Sequence, residues 1–351
     1  MGAASQDKRI SGRRGSFNNN VCAWNTHLQE GTLDLTGSQG KNRSSRPILV
    51  TGTHRSGTTW VGKMLSLHRS VHYIHEPFAP MYERAWLLDR PTIPYIYVPP
   101  DSYEAYQAGL NRILSLTPDW VGIGRRAHGV RNWVRLAQEA YSTSRARRMG
   151  SRPLVKDPFL LLSVEWFARQ SSASPIILVR HPAAFAGSIK RLGWRLDPGA
   201  LLNQPELMSR LLYPYQHQLE IDRSEKLDIV QHACLVWRSL NSVVRYYEEQ
   251  YPHWSVVRYE DLAADPVGGF RGLYDKLDIP WTDQAERAIL TNNSNRNPSE
   301  VAKSKRGSTR RNSSAAMWTW LSRLTEAEIE LIRKSTVGVA EHWYGDEYWP
   351  D

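Results

Sequence analysis

Cysteine is almost missing from this chain: Cys22 and Cys234 are the only two in 351 residues. That excludes a disulfide framework and a thiolate metal cluster, and it makes a reducing, cytoplasmic setting the expectation. Long apolar runs are missing too. No stretch approaches the roughly 18 to 20 apolar residues that a membrane-spanning helix needs. The N-terminus, MGAASQDKRISGRRGSFNNN, has no apolar h-region and so does not read as a secretory signal. Ser5 stands one place too early for the myristoylation pattern that starts at Gly2. There are no internal repeats. No group of His, Cys, Asp or Glu has metal-ligand spacing, so His54, His72, His75 and His181 read as polar lining or satisfied structural histidines, and no metal is expected.

Acidic charge is in deficit. Lys and Arg number 45 against 35 Asp and Glu, for a net charge of +10. The excess gathers at Lys8–Arg14, Lys41–Arg46, Arg145–Arg152 and Lys303–Arg311. Such runs suit a polyanionic small ligand, an anionic glycan, an anionic membrane face or nucleic acid, or they are plain solvated surface. A degenerate P-loop protein holding RNA or DNA by its basic face is thus one function class to weigh. No nucleic-acid motif and no interleaved aromatic–basic stripe supports it, so no nucleic-acid partner is expected.

Residues 1–44, rich in Gly, Ser, Asn and Arg, read as a flexible basic arm. From 45 to 351 strands and helices alternate. Strands are expected at Pro47–Thr51, Val71–Ile74, Pro153–Val155, Pro175–Val179 and Trp254–Tyr259. Helices are expected at Thr58–His68, Val130–Arg148, Phe159–Gln170, after Pro182, at Ile229–Gln250, after Pro266 and from Thr325, where TEAE offers a cap and a Glu three residues on. Ala79–Gly129 and Gly199–Tyr215 have no clear period and read as lid-like insertions, and Thr291–Ser314 reads as a basic loop. The pattern predicts an α/β fold: a mostly parallel sheet, helices on both faces, and a P-loop-like nucleotide-binding core. Ligands in such folds sit outside the C-terminal ends of the strands.

The segment Arg46–Trp60, RPILVTGTHRSGTTW, is an apolar strand that runs into a Gly/Ser/Thr loop and then a helix. A loop of that kind turns several backbone N–H groups and the positive helix end on one point, which makes an anion site. Gly52 and Gly57 have P-loop spacing, yet Thr58 stands where the triphosphate lysine belongs and the cation comes earlier, as Arg55. The third strand ends at Lys156-Asp157 and the fourth at Arg180-His181-Pro182, with Ser188 eight residues after Arg180. A Mg²⁺-dependent phosphotransferase wants a carboxylate at the end of its best apolar strand; this chain has an arginine there.

Together these residues resemble the sulfotransferases that use 3′-phosphoadenosine 5′-phosphosulfate (PAPS). The loop RSGTTW, Arg55-Ser56-Gly57-Thr58-Thr59-Trp60, matches the family's phosphosulfate loop. Arg180 and Ser188 match its 3′-phosphate pair, and Val257-Arg258-Tyr259-Glu260-Asp261-Leu262 its VRYEDL segment. The resemblance covers about residues 46 to 345. It implies PAPS as co-substrate and adenosine 3′,5′-bisphosphate as product, with no metal required. Arg55 and Lys156 would then absorb charge on the leaving group, Tyr259 and Trp60 would contact adenine, and Arg306-Gly307 would align with the late basic-glycine loop, whose family form is closer to RKG. The same residues also fit plainer roles: Arg180 in an ion pair, Ser188 against helix backbone, Tyr259 and Trp60 in packing.

The acceptor hydroxyl needs a base. Family members that act on phenols and steroids carry a His two residues after the third-strand Lys, where this chain has Pro158. Carbohydrate and tyrosylprotein members use a Glu shortly after the second strand, and Glu76 stands in the corresponding place, 21 residues after Arg55. The resemblance therefore makes Glu76 the base, with Asp157 in reserve and local capping or pairing as the plainer role. A Glu-type base, 14 Trp and a basic surface favour a glycan or glycolipid acceptor, with peripheral membrane contact. A small natural product or a peptide tyrosine is the alternative.

Overall fold

β-Branched and aliphatic residues dominate five short runs, Ile48–Gly52 (β1), Val71–His75 (β2), Arg152–Lys156 (β3), Ser174–Val179 (β4) and Ser255–Arg258 (β5). In the computed structural model they pair into one sheet of order β2-β3-β1-β4-β5, every pairing parallel. Side chains of successive strand residues point to opposite faces. Ile48, Val50, Leu154, Ile176 and Leu178 accordingly enter one core, and Leu49, Val155, Ile177 and Val179 the other. A sheet covered on both faces needs strands that are apolar throughout, and β1 and β3 are buried along their whole length. The structure describes residues 45–81, 91–126, 129–294, 296–299, 310 and 312–350, all in one compact unit. The arm expected over 1–44 and the pair Arg306-Gly307 lie outside the described residues.

The helices, in chain order, are Thr58–Leu65 (α1), Gln107–Leu114 (α2), Trp120–Arg126 (α3), Val130–Arg148 (α4), Val164–Ser171 (α5), Pro182–Leu192 (α6), Gly199–Leu202 (α7), Pro205–Leu207 (α8), Gln216–Glu225 (α9), Ile229–Gln250 (α10), Tyr259–Ala264 (α11), Pro266–Lys276 (α12), Asp283–Asn293 (α13), Ser313–Met317 (α14) and Glu326–Ala340 (α15). One face of the sheet is covered by α1 and α11–α13, the other mainly by α5, α6, α10 and α15. The capping box expected at Thr325 is present: Thr325 N–H donates to Glu328 Oε2 at 2.7 Å and Glu328 N–H to Thr325 Oγ1 at 3.3 Å. Lys190 of α6 also reaches Glu328, at 2.6 Å, and ties the two helices. Among the described residues no helix is long and apolar enough to cross a membrane.

Several elements depart from the sequence reading. The helix expected over Phe159–Gln170 is two pieces, a 3₁₀ turn at Pro158–Ser163 and then α5. Asp157 caps the first piece by accepting from Phe159 N–H. Gly199–Tyr215 is a chain of short helical turns, two of them with Pro205 and Pro214 in their first turn, rather than an irregular stretch. α13 and α14 occupy parts of the stretch read as a loop, and α2 and α3 parts of Ala79–Gly129. Within that insertion Tyr95, Tyr97 and Val98 are buried in the main core, and Val98 N–H donates to Ser163 Oγ at 2.9 Å. Tyr259 opens α11 instead of closing β5.

The register levels the strand ends. Val50 pairs with Lys156, Lys156 with His75, Gly52 with Leu178, and Val179 with Arg258. The chain leaves β1 toward β3 and β2 on one side and reaches β4 and β5 on the other, so the crevice opens beside the β1 loop. β1 and β4 approach closely at Gly52, whose φ is 142° and where a Cβ would lie 2.4 Å from the Leu178 carbonyl oxygen. Gly52→Ala should cost more than about 2 kcal/mol of stability. Urea unfolding measures this, and an unchanged midpoint would mean that the close approach is not a constraint.

Candidate active site

The loop between β1 and α1 has the geometry of an anion site. Gly57 caps α1 at φ 102° with no side chain engaging the helix end. A Cβ on Gly57 would meet Tyr259 Cδ2 at 2.6 Å, so only glycine lets the loop close on that ring. Thr53 Oγ1 and Ser56 Oγ are buried and have no hydrogen-bond partner among the described residues. Buried hydroxyls left in that state are costly unless a ligand completes them.

The two arginines meet there. Arg55, held at φ 70°, donates from Nε to Ser188 Oγ at 3.0 Å. Arg180, at the end of β4, donates from its guanidinium to the Arg55 carbonyl oxygen at 2.8 Å and lies over the Tyr259 ring at 4.7 Å. Its Nε is buried and has no partner among the described residues. Trp60 packs edge-on to Tyr259 with ring centroids 5.4 Å apart. Both rings are buried, and Arg180 already covers a face of Tyr259. Arg55, Ser56, Gly57, Trp60, Arg180, Ser188 and Tyr259, scattered over some 200 positions of sequence, thus occupy one corner. A donor set of two guanidiniums, orphaned hydroxyls and a helix N-terminus fits a phosphate-bearing co-substrate.

The second half of the site lies across the crevice. Glu76 N–H donates to the Lys156 carbonyl oxygen at 2.7 Å, extending the β2–β3 ladder by one residue. That bond holds Glu76 at φ 46°, an unfavourable conformation for a residue with a Cβ. Its Oε1 pairs with Lys156 Nζ, and its Oε2 lies 3.8 Å from His75 Nε2. The Lys156 side chain is wholly buried, while that of Glu76 keeps 13% of its surface open.

Asp157 is a different kind of carboxylate. It is fully buried, and its two oxygens accept from Phe78 N–H at 2.7 Å and Phe159 N–H at 2.9 Å. Burial first, and then the negative charge of Glu76, push its pKa up to about 7. Such a value suits a base, but no face of Asp157 is open to an acceptor. Its geometry is that of a brace between the Glu76 turn and the 3₁₀ turn.

Two partners escaped the sequence reading. Tyr95, from the insertion, accepts from His54 N–H at 2.8 Å and bonds His54 Nδ1 at 2.5 Å. Burial, and then Arg55's charge, hold His54 well below its usual pKa, so the ring that the Tyr95 hydroxyl meets is neutral. Nothing in the sequence around Tyr95 signals that link. Glu260, inside the VRYEDL segment, accepts from His181 N–H at 3.1 Å and from Tyr344 O–H at 2.8 Å. Its place beside Tyr259 was the available signal.

The sequence profile of the sulfotransferase family matches residues 47–283, more than half of the chain. The chain belongs to the sulfotransferase family and is an enzyme of that class. A search among curated proteins finds no match. Among solved structures, the sulfotransferase domain from the curacin biosynthetic pathway is similar at 14% identity, with 84% of this chain and 97% of that one covered and a TM-score of 0.45. The sulfotransferase domain of the Synechococcus PCC 7002 olefin synthase stands at 18%, 88%, 97% and 0.44 in the same order. Sulfotransferase STF9 from Mycobacterium avium stands at 14%, 86%, 77% and 0.41.

Asp157→Asn sets an amide N–H₂ against a backbone N–H donor. Stability should fall by about 1–3 kcal/mol, read as a lower urea midpoint. Unchanged stability would mean that Asp157 does not brace the turn.

Proposed function

We propose that this sulfotransferase takes its sulfuryl group from PAPS and passes it to a hydroxyl on a carbohydrate or glycolipid, with Glu76 as the base. The observation that carries the reading is the single corner where Arg55, Arg180 and Ser188 meet the orphaned hydroxyls of Thr53 and Ser56. When bound, PAPS supplies the sulfuryl group, and its bridging S–O bond breaks as the acceptor oxygen bonds to sulfur. Arg55 offsets the negative charge that the breaking bond leaves on the phosphate. Lys156 brings a second, desolvated positive charge to the same centre. Arg180 and Ser188 hold the 3′-phosphate. Tyr259 and Trp60 act mainly by fixing the Arg180 guanidinium, since both are buried in packing.

Lys156 fixes Glu76 through Oε1, and Oε2 takes the proton of the acceptor hydroxyl. The strained turn at Glu76 supports this assignment, because strain of this kind persists where the surroundings impose a conformation for use. The Glu-type base and Pro158, which stands where the alternative histidine would, support a carbohydrate acceptor over a phenol or steroid; a peptide tyrosine, which the same base would serve, is the second reading.

Glu76→Gln keeps an oxygen for Lys156 but cannot take a proton. Turnover should fall on the order of 10²-fold or more, with adenosine 3′,5′-bisphosphate binding unchanged. Near-normal turnover would sink the base assignment. Adenosine 3′,5′-bisphosphate should raise the melting temperature while ATP with Mg²⁺ does not, and Arg180→Ala should bind the bisphosphate on the order of tenfold or more weakly by calorimetry. Equal affinity in that variant would remove Arg180 from the site.

A further inference from the structure

α3 and α4 form a small outlying hairpin. Ile123, Leu136 and Ala140 make a core of their own between them, separate from both main clusters. On α4, Leu136, Ala140, Thr143 and Ala146 are buried, and the exposed side would ordinarily be polar throughout. Here it is mixed. Val130, Trp133, Val134 and Tyr141 follow at helical spacing and are 81%, 53%, 41% and 64% exposed. α3 adds Trp120 and Val121, 52% and 67% exposed. Arg131, Arg135, Arg145, Arg147 and Arg148 are exposed on the same helix, against a single carboxylate, Glu139.

The hairpin stands on the crevice side of the sheet. Just past α4, Ser151 Oγ donates to the Arg69 carbonyl oxygen and Arg152 N–H to that of Ser70, both at 2.8 Å, so the helix ends where β2 begins. One step along β2, His72 Nε2 meets Thr143 Oγ1 at 2.9 Å. α4 therefore runs antiparallel to β2. From Thr143 back to Val130 is about 20 Å of helix, and from His72 on to Glu76 is about 13 Å of strand. A helix that keeps this direction carries the turns bearing Val130, Trp133 and Val134 to the level of Glu76 and beyond.

We propose that this hairpin is an interfacial anchor that seats the enzyme on an anionic lipid bilayer. Tryptophans settle at the headgroup level, exposed valines enter the acyl boundary, and flanking arginines pair with lipid phosphates. A glycan partner would use the aromatic faces but gain nothing from Val121, Val130 and Val134. The chain's own residues 1–44 are net basic, with Lys8, Arg9, Arg13, Arg14, Lys41 and Arg43 against Asp7, Glu30 and Asp34, and a basic face repels them. The anchor stands on the hairpin alone and does not depend on which hydroxyl is sulfated.

Co-sedimentation of the full chain with vesicles tests it. The protein should pellet with phosphatidylcholine vesicles that contain phosphatidylglycerol, not with phosphatidylcholine alone, and added salt should release it. The double variant Trp133→Ser/Val134→Ser should weaken binding on the order of tenfold or more, and Arg131→Glu/Arg135→Glu should do likewise. The substituted side chains are exposed, and unchanged circular dichroism and melting would confirm that both variants fold. Vesicle binding that survives Trp133→Ser/Val134→Ser would overturn the anchor in favour of plain surface charge. Failure to bind any vesicle, with retention on a sulfated polysaccharide or an acidic protein instead, would overturn it and give the face to that partner. A wrong base assignment at Glu76 would leave every one of these results unchanged.

Discussion

Arg180 is a guanidinium taken out of water, and a buried cation is tolerated only where its surroundings answer it. Here the answer comes from the Arg55 carbonyl oxygen and the Tyr259 ring, while Trp237 Nε1–H donates to the Arg180 carbonyl oxygen at 2.9 Å. These contacts fasten the β1 loop, the end of β4 and the start of α11 to one point. Ser188, two turns into α6, then takes Arg55 Nε. Remove the guanidinium and the loop loses the bond that sets its carbonyl, Tyr259 loses the charge above it, and Gly57 no longer needs to clear a fixed ring.

The opposite wall has a different construction. Glu76 and Lys156 end neighbouring parallel strands, and the register that pairs His75 with Lys156 brings the carboxylate to the ammonium. A slip of one residue in β2 or β3 would turn one of the two toward the other face of the sheet. Asp157 guards against this by holding Phe78 and Phe159 N–H at once. The two carboxylates so close together thus divide their work. One is closed off and structural; the other keeps an open edge.

Much of the fold was legible because its signals are local. β1, β3 and β4 are short apolar runs, Pro182 opens α6, and TEAE caps α15, so strand, helix and cap could each be read within a few residues. The candidate site was legible as far as motif residues carry it: the β1–α1 loop, Arg180, Ser188 and Tyr259 are neighbours in space. What was not legible depends on distance. Tyr95 lies in a stretch of Pro and Tyr with no period, and only packing brings its hydroxyl under His54. The α3–α4 stripe was hidden for the opposite reason. An amphipathic pattern does not say which of its faces the rest of the protein covers, and here Leu136 and Ala140 take the inside while the tryptophans are left out.

The all-parallel sheet also sets the order in which the chain can finish its site. Thr51 bonds to Asp157 across 106 residues, the Arg55 carbonyl to Arg180 across 125, and Arg55 to Ser188 across 133. Each closure is long, and long closures are slow. During synthesis the β1 loop emerges early, yet it has no arginine to set its carbonyl until β4 arrives and no ring to close on until α11 follows. The corner where these residues meet is therefore a late product of folding although its motif stands near the beginning of the domain. A nascent or truncated chain that ends before α11 carries the RSGTTW sequence without the shape that the proposed co-substrate would need.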